Sequence, residues 1–218
     1  MGIEAVKTAW LLLPVAAACV AQTPDREVPF DNTLVRVVQV HRAMPGVKTR
    51  PHQHDINRVM IYLNSGGQTV TWEGGQVEKQ TWKAGEALWS PRGGIHVAEI
   101  TGAEPARIVE VELKGEGPAA IAARSPRDPE VADPKHFSVD FANAQVRVVR
   151  LRLAAGEQTL KLEHGKPRIV TYLTAQQIEI NGKRETRRAG QVEWREPGTE
   201  AIRNPGPGAV EAIFIYLN

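Results

Sequence analysis

One cysteine, Cys19, stands in 218 residues, so neither a disulfide framework nor a cysteine-based zinc cluster can be assembled within the chain. No apolar run is long enough to cross a bilayer, which takes about 20 residues; the run Ala9–Ala21 has 13. Charge of one sign is also scarce. Lys and Arg number 27 against 25 Asp and Glu, a net of +2, and the two signs are interleaved. A nucleic-acid partner would need that charge gathered on one face, so none is expected. The only dense basic run, Lys183, Arg184, Arg187 and Arg188, reads as a solvated hairpin. There is no glycine-rich phosphate loop, no nucleophile elbow and no cysteine placed as a nucleophile. No strand-like segment is followed by a ten-residue helical pattern, which argues against a parallel α/β sheet.

The apolar run has its own meaning. Lys7 precedes it and small residues close it, the layout of a secretory signal over residues 1–21. Ala16-Ala17-Ala18-Cys19 resembles a lipoprotein box, so cleavage before Cys19 with a lipid anchor there competes with cleavage after Ala21. A buried N-terminal helix is the other reading, and Pro14 interrupts it. The expectation is an exported protein, periplasmic or lipid-anchored in a bacterial envelope, with no membrane span.

Past Gln22 the sequence repeats. Phe30-Asp-Asn32-Thr-Leu-Val35-Arg36-Val37-Val38 returns as Phe141-Ala-Asn143-Ala-Gln-Val146-Arg147-Val148-Val149, six identities at an offset of 111. Arg58 to Leu63 then matches Arg168 to Leu173, Lys83 to Trp89 matches Arg188 to Trp194, and Gly93 falls opposite Gly198. A preserved order of matches means two copies of one unit. Between them, residues 114–136 carry Pro118, Pro126, Pro129 and Pro134 and read as an extended surface linker, with a helical turn expected over Ala119 to Arg124.

Each unit reads as β. Val109, Val111 and Leu113 alternate with Glu110 and Glu112; Val149, Leu151 and Leu153 alternate with Arg150 and Arg152. Period-two alternation marks a half-buried strand. Asn181-Gly182 predicts a type I′ hairpin, and Glu73-Gly74-Gly75-Gln76 holds the same place in the first unit. Trp72, Trp82, Trp89 and Trp194 read as core or barrel-rim aromatics. The predicted fold class is all-β: two tandem barrels over residues 27–113 and 137–218.

Chemistry concentrates in the first unit. His52 and His54 are two apart, so on a strand both imidazoles project to one face. Gly93-Gly94 supplies a sharp turn that can bring His96 inward. Three neutral imidazoles can hold a divalent ion with positions left open; three unrelated surface histidines are the alternative. His41 and His136 read as ordinary polar residues.

The run Gly46…His52-Gln-His54, followed by Gly85…Pro91-Arg-Gly93…His96, resembles the two motifs of the cupin superfamily. Both are present at the family's spacing, and with the repeat the resemblance covers nearly all of the chain past residue 21; it looks like a bicupin. The resemblance implies two double-stranded β-helix (jelly-roll) barrels and one divalent transition metal, Fe, Zn, Mn, Ni or Cu, on His52, His54 and His96.

The family usually has a glutamate ligand four residues after the second histidine, and here that place is Arg58, which cannot ligate a cation. Either Arg58 points away, towards Asp55, or it holds an anionic group of a substrate. The family's closing asparagine is Ile100. In the second unit Leu162 matches His52, Ala201 falls opposite His96 and only His164 persists, so that barrel reads as structural. Two functions follow from the resemblance: a metal-dependent small-molecule enzyme of dioxygenase type, or a non-catalytic binding or metal-holding module. The expected partners are a small-molecule ligand and a second copy of the chain in a homodimer.

Overall fold

The computed structural model describes residues 25–121 and 123–218. The expected signal segment, with Cys19, lies outside the described residues. The first unit comprises β1 (Arg26–Asp31), β2 (Val35–Ala43), β3 (His52–His54), β4 (Arg58–Tyr62), β5 (Gly66–Trp72), β6 (Val77–Trp82), β7 (Ala87–Ser90), β8 (Gly93–Ile100) and β9 (Ala106–Leu113). A short helix, α1 (Pro129–Ala132), precedes the second unit. That unit comprises β10 (Phe137–Ala142), β11 (Val146–Leu153), β12 (Leu162–His164), β13 (Arg168–Tyr172), β14 (Gln176–Ile180), β15 (Lys183–Arg187), β16 (Val192–Arg195), β17 (Gly198–Glu200), β18 (Ile202–Arg203) and β19 (Val210–Leu217).

The fold is two tandem double-stranded β-helix units. In the first, a five-stranded sheet ordered β1-β2-β9-β4-β7 faces a four-stranded sheet ordered β3-β8-β5-β6. The second repeats the large sheet as β10-β11-β19-β13-β16. Its smaller sheet is split into β12-β17 and β15-β14-β18, because Ala201 interrupts what is one continuous strand, β8, in the first unit. Every strand pair within these sheets is antiparallel.

The repeated local signals do the same work twice. Asn32 Oδ1 accepts from the amides of Leu34 and Val35, and Asn143 Oδ1 accepts from those of Gln145 and Val146. Asn181 and Gly182 have φ of 49° and 80°, the two positive values of the predicted type I′ turn, and Gly74 and Gly75 take φ of 95° and 89° at the matching hairpin.

The two large sheets stack outer face to outer face and share one apolar core. Val37, Val59, Ile61, Val109 and Val111 of the first unit pack with Val148, Ile169, Ile213 and Ile215 of the second. The contact is pseudo-symmetric. Gln39 Nε2 donates to Gly190 O at 2.6 Å, and its repeat mate Arg150 donates from Nη2 to Gly85 O at 2.7 Å. Leu63 packs on Gly190 and its mate Leu173 on Gly85; a Cβ added there would stand 2.8 and 3.2 Å from the leucine methyls. Both glycines also have positive φ, so the residue type is fixed twice over.

This contact corrects the simple reading of β9. Its apolar face, Val109, Val111 and Leu113, meets the other unit, and Ile108 and Glu110 face the interior of their own unit. The linker also differs from expectation. A helical turn forms at Pro129–Ala132, and Pro129, Glu130, Asp133 and His136 are buried against the second unit. Asp128 clamps the Arg147 guanidinium through both carboxylate oxygens, at 2.6 and 2.8 Å. His136 is likewise no ordinary surface residue: its Nδ1 lies 2.9 Å from Asp133. In the basic run, Arg187 is buried, paired with Glu185 and Glu193 and laid over the Tyr172 ring, so it is not solvated as expected. Among the described residues no helix is long and apolar enough to cross a membrane.

Candidate metal centre

The short strand β3 carries His52 and His54 on one face, and β8 brings His96 opposite His52. One ring nitrogen from each histidine lies within 4.8 Å of the others, a spread that a single ion can draw together. The ring centroids are 4.5 Å apart for His52–His96, 4.9 Å for His52–His54 and 5.3 Å for His54–His96. A register shift between His52 and His54 sets this convergence, since the ladder skips from His96 to Gly93 across it.

Backbone carbonyls fix two of the tautomers. His52 Nδ1 lies 2.8 Å from Arg50 O, and His96 Nδ1 lies 3.0 Å from Gly94 O. A carbonyl only accepts, so each Nδ1 carries a proton, and Nε2 is the nitrogen each ring has left to offer a metal. His54 is held neutral: burial, with the Arg58 cation second and the other two imidazoles behind it, lowers its pKa to about 3. One ring nitrogen from each histidine is thus placed to fit a divalent ion.

Arg58 decides the remaining geometry. It is 8% exposed, and it points into the site instead of towards Asp55, whose carboxylate accepts from Gln53 at 2.8 Å. Its Nη1 donates to His54 Nε2 at 2.8 Å and to Glu110 Oε2 at 3.3 Å, and its Nη2 donates to Ser90 Oγ at 2.9 Å. Burial pulls its pKa down and Glu110 pushes it back up. The third ligand nitrogen is thus engaged by a cation. Glu110 answers Arg58 at 3.3 Å and also Arg26 at 4.0 Å, so one carboxylate faces two guanidinium groups before any metal adds its charge.

These residues form the floor of a cavity of about 900 Å³ inside the first unit. Trp72 leans on His96 with ring centroids 4.9 Å apart and also lines it. Glu110, Ser90 and Trp72 were missed from sequence. Alternation places Glu110 on the polar face of β9, and that face lines the cavity. Of the other tryptophans, Trp82 is buried in the core, while Trp89 and Trp194 pack at the contact between the units.

The matching place in the second unit is filled. Register equates His52 with Leu162 and His96 with Glu200, one residue short of the expected Ala201, because the first unit has the register shift and the second has none. Register likewise equates Glu110 with Phe214 and Glu112 with Tyr216. His164 is 2% exposed, with Nδ1 2.7 Å from the Tyr216 hydroxyl and its ring stacked on both Phe214 and Tyr216. Glu200 takes both Arg168 and Arg195.

No protein-family model matches the sequence, and no curated protein matches it. Solved structures do match in shape. AerE from Microcystis aeruginosa superposes with a TM-score of 0.63 at 11% identity, covering 90% of this chain and 94% of its own. A variant oxalate decarboxylase from Bacillus subtilis gives 0.58 at 11% identity, over 84% and 69%. A cupin 2 conserved barrel domain protein from Leptotrichia buccalis gives 0.53 at 11% identity, over 88% and 88%. At such identities the likeness establishes a cupin-type fold.

Proposed function

We propose that the first unit is a metal-dependent enzyme site acting on a small molecule, with His52, His54 and His96 as ligands of one divalent transition metal. The convergence of three imidazole nitrogens within 4.8 Å at a cavity floor carries this reading. When bound, the metal supplies Lewis acidity and a template for reactants. The chain's own residues do the rest. The carbonyls of Arg50 and Gly94 orient two ligands. With His54 Nε2 given to a metal, Arg58 would be left to anchor an anionic substrate oxygen. Glu110, held beside Arg58, is a carboxylate able to take and return a proton. Dioxygen addition is the first reaction to test, because both oxygen atoms enter the product and no separate reductant is required. Oxalate joins the substrate screen, since oxalate decarboxylase shares the fold.

The second reading, a non-catalytic metal- or ligand-holding module, is favoured by one observation: a cation sits on the third ligand. Elemental analysis combined with oxygen uptake on thiols, diketones and phenolics separates the two. Iron at one per chain with uptake supports the enzyme. Tightly held zinc without turnover on any substrate leaves the module. A chain that keeps its metal after loss of both His52 and His54 defeats both. The second unit is proposed to be structural. Export is part of the same proposal; an intact Met1 in cytosolic protein from the native host overturns it.

A further inference from the structure

The two unit interiors differ in how far they are filled. Thirteen buried apolar residues form the core of the second interior, and six form that of the first. Register shows where the space arises: Arg26, His52 and Glu110 stand where the second unit has Phe137, Leu162 and Phe214. The resulting cavity of about 900 Å³ is divided in character. Its floor is the histidine cluster with Arg58 and Glu110, while Met60, Tyr62, Val70, Ile100 and Ile108 form a continuous apolar wall. A two-carbon diacid displaces only a few waters of about 30 Å³ each and would leave most of this volume wet against apolar side chains. A cavity of this size suits a ligand that buries most of a drug-sized surface. Glu110 faces both Arg58 and Arg26, so a divalent ion there adds to a surplus of positive charge and calls for an anionic oxygen.

We propose that the first unit binds a bulky, largely apolar carboxylate or phenolate, with its charged oxygen at the histidine floor and its body along the Met60–Ile108 wall. The head-group half of this proposal rests on the metal reading above; the wall does not. Trp72 offers an aromatic face beside His96 for a planar body.

The test is calorimetric binding of 2-naphthoate, acetate and oxalate to metal-loaded protein. Each methylene buried adds about fourfold in affinity, so naphthoate binds at least about tenfold tighter than acetate. Met60→Trp, which fills the cavity, weakens naphthoate by about tenfold and leaves acetate within about twofold. Val70→Trp serves the same purpose from another strand if the first variant misfolds. Acetate or oxalate binding as tightly as naphthoate overturns the wall, as does naphthoate binding unchanged in both filled variants, and the metal reading survives either result. Naphthoate and acetate affinities that stay unchanged in metal-stripped protein and in the double variant His52→Ala, His54→Ala overturn the metal reading and leave the wall standing.

Discussion

The two units share strand order, asparagine turns, hairpins and reciprocal interface contacts, yet one interior is hollow and polar and the other is packed. The shared part is the face each turns to the other, where Val109 and Val111 meet Ile213 and Ile215. That face is bound by close packing, and volume changes there are felt at once. Each inner face answers only to its own small sheet, so one can be packed and the other hollow without disturbing the contact between the units. So the difference teaches where this architecture tolerates chemistry: on the side of the large sheet away from the other unit.

The sharpest way to break the comparison is at Glu110 and Phe214, which hold equivalent places. Phe214→Ala should cost about 3–5 kcal/mol in urea unfolding, since it empties a packed interior. Glu110→Gln, which keeps its volume beside a cavity, should cost about 1 kcal/mol. Equal costs would mean that the first interior is as structural as the second.

Next in size are the two arginines. Removal of Arg58 in Arg58→Met takes a cation off His54 and should tighten metal binding by about ten- to a hundredfold, or about 1.4–2.8 kcal/mol. Equilibrium dialysis reads this directly. Arg168→Met should leave metal binding unmoved. Weaker metal binding in Arg58→Met would show that Arg58 supports the site.

The third comparison uses acid. Burial, with Arg168 and Arg195 adding to it, lowers the pKa of His164 to about 3. The unfolded chain titrates this group near 6.5, so between about pH 6.5 and 3 the unfolded state binds the extra proton. Stability from the second unit should therefore fall as pH drops through that window, by up to about 1.4 kcal/mol per pH unit. His164→Gln should flatten the slope measured by denaturation at pH 5 and 7; an unchanged slope would place the acid sensitivity elsewhere.

The smallest effect is expected at the interface polar pair. Gln39→Ala deletes one bond to Gly190 O and should cost about 1 kcal/mol. Arg150→Ala deletes the matching bond together with the Asp140 pairing and should cost more. The reverse order would mean that the pseudo-symmetry is one of shape and not of energy.

Much of this was readable beforehand because it rests on local rules. Asn181-Gly182 dictates its turn wherever it occurs, and two histidines two apart share a strand face in any sheet. What escaped depended on partners distant in sequence. Alternation along β9 gave its two faces correctly, but only the second unit's sheet decides that the valines turn towards it and Glu110 turns inward. Arg58 could be seen as a departure, whereas its grip on His54, Ser90 and Glu110 needs three separate strands and loops. The match of His96 to Glu200 was missed by one residue because a register shift consumes a position without leaving a gap in sequence.

The reciprocal seating of Leu63 on Gly190 and Leu173 on Gly85 has a genetic consequence. Two identical separate units meeting this way would form a dimer in which every substitution falls on both copies. Joined in one polypeptide, the halves mutate independently while the linker keeps each at high effective concentration for the other. One half can then exchange histidine, glutamate and water for phenylalanine and leucine, and so become the firmer support, without emptying the pocket of its twin.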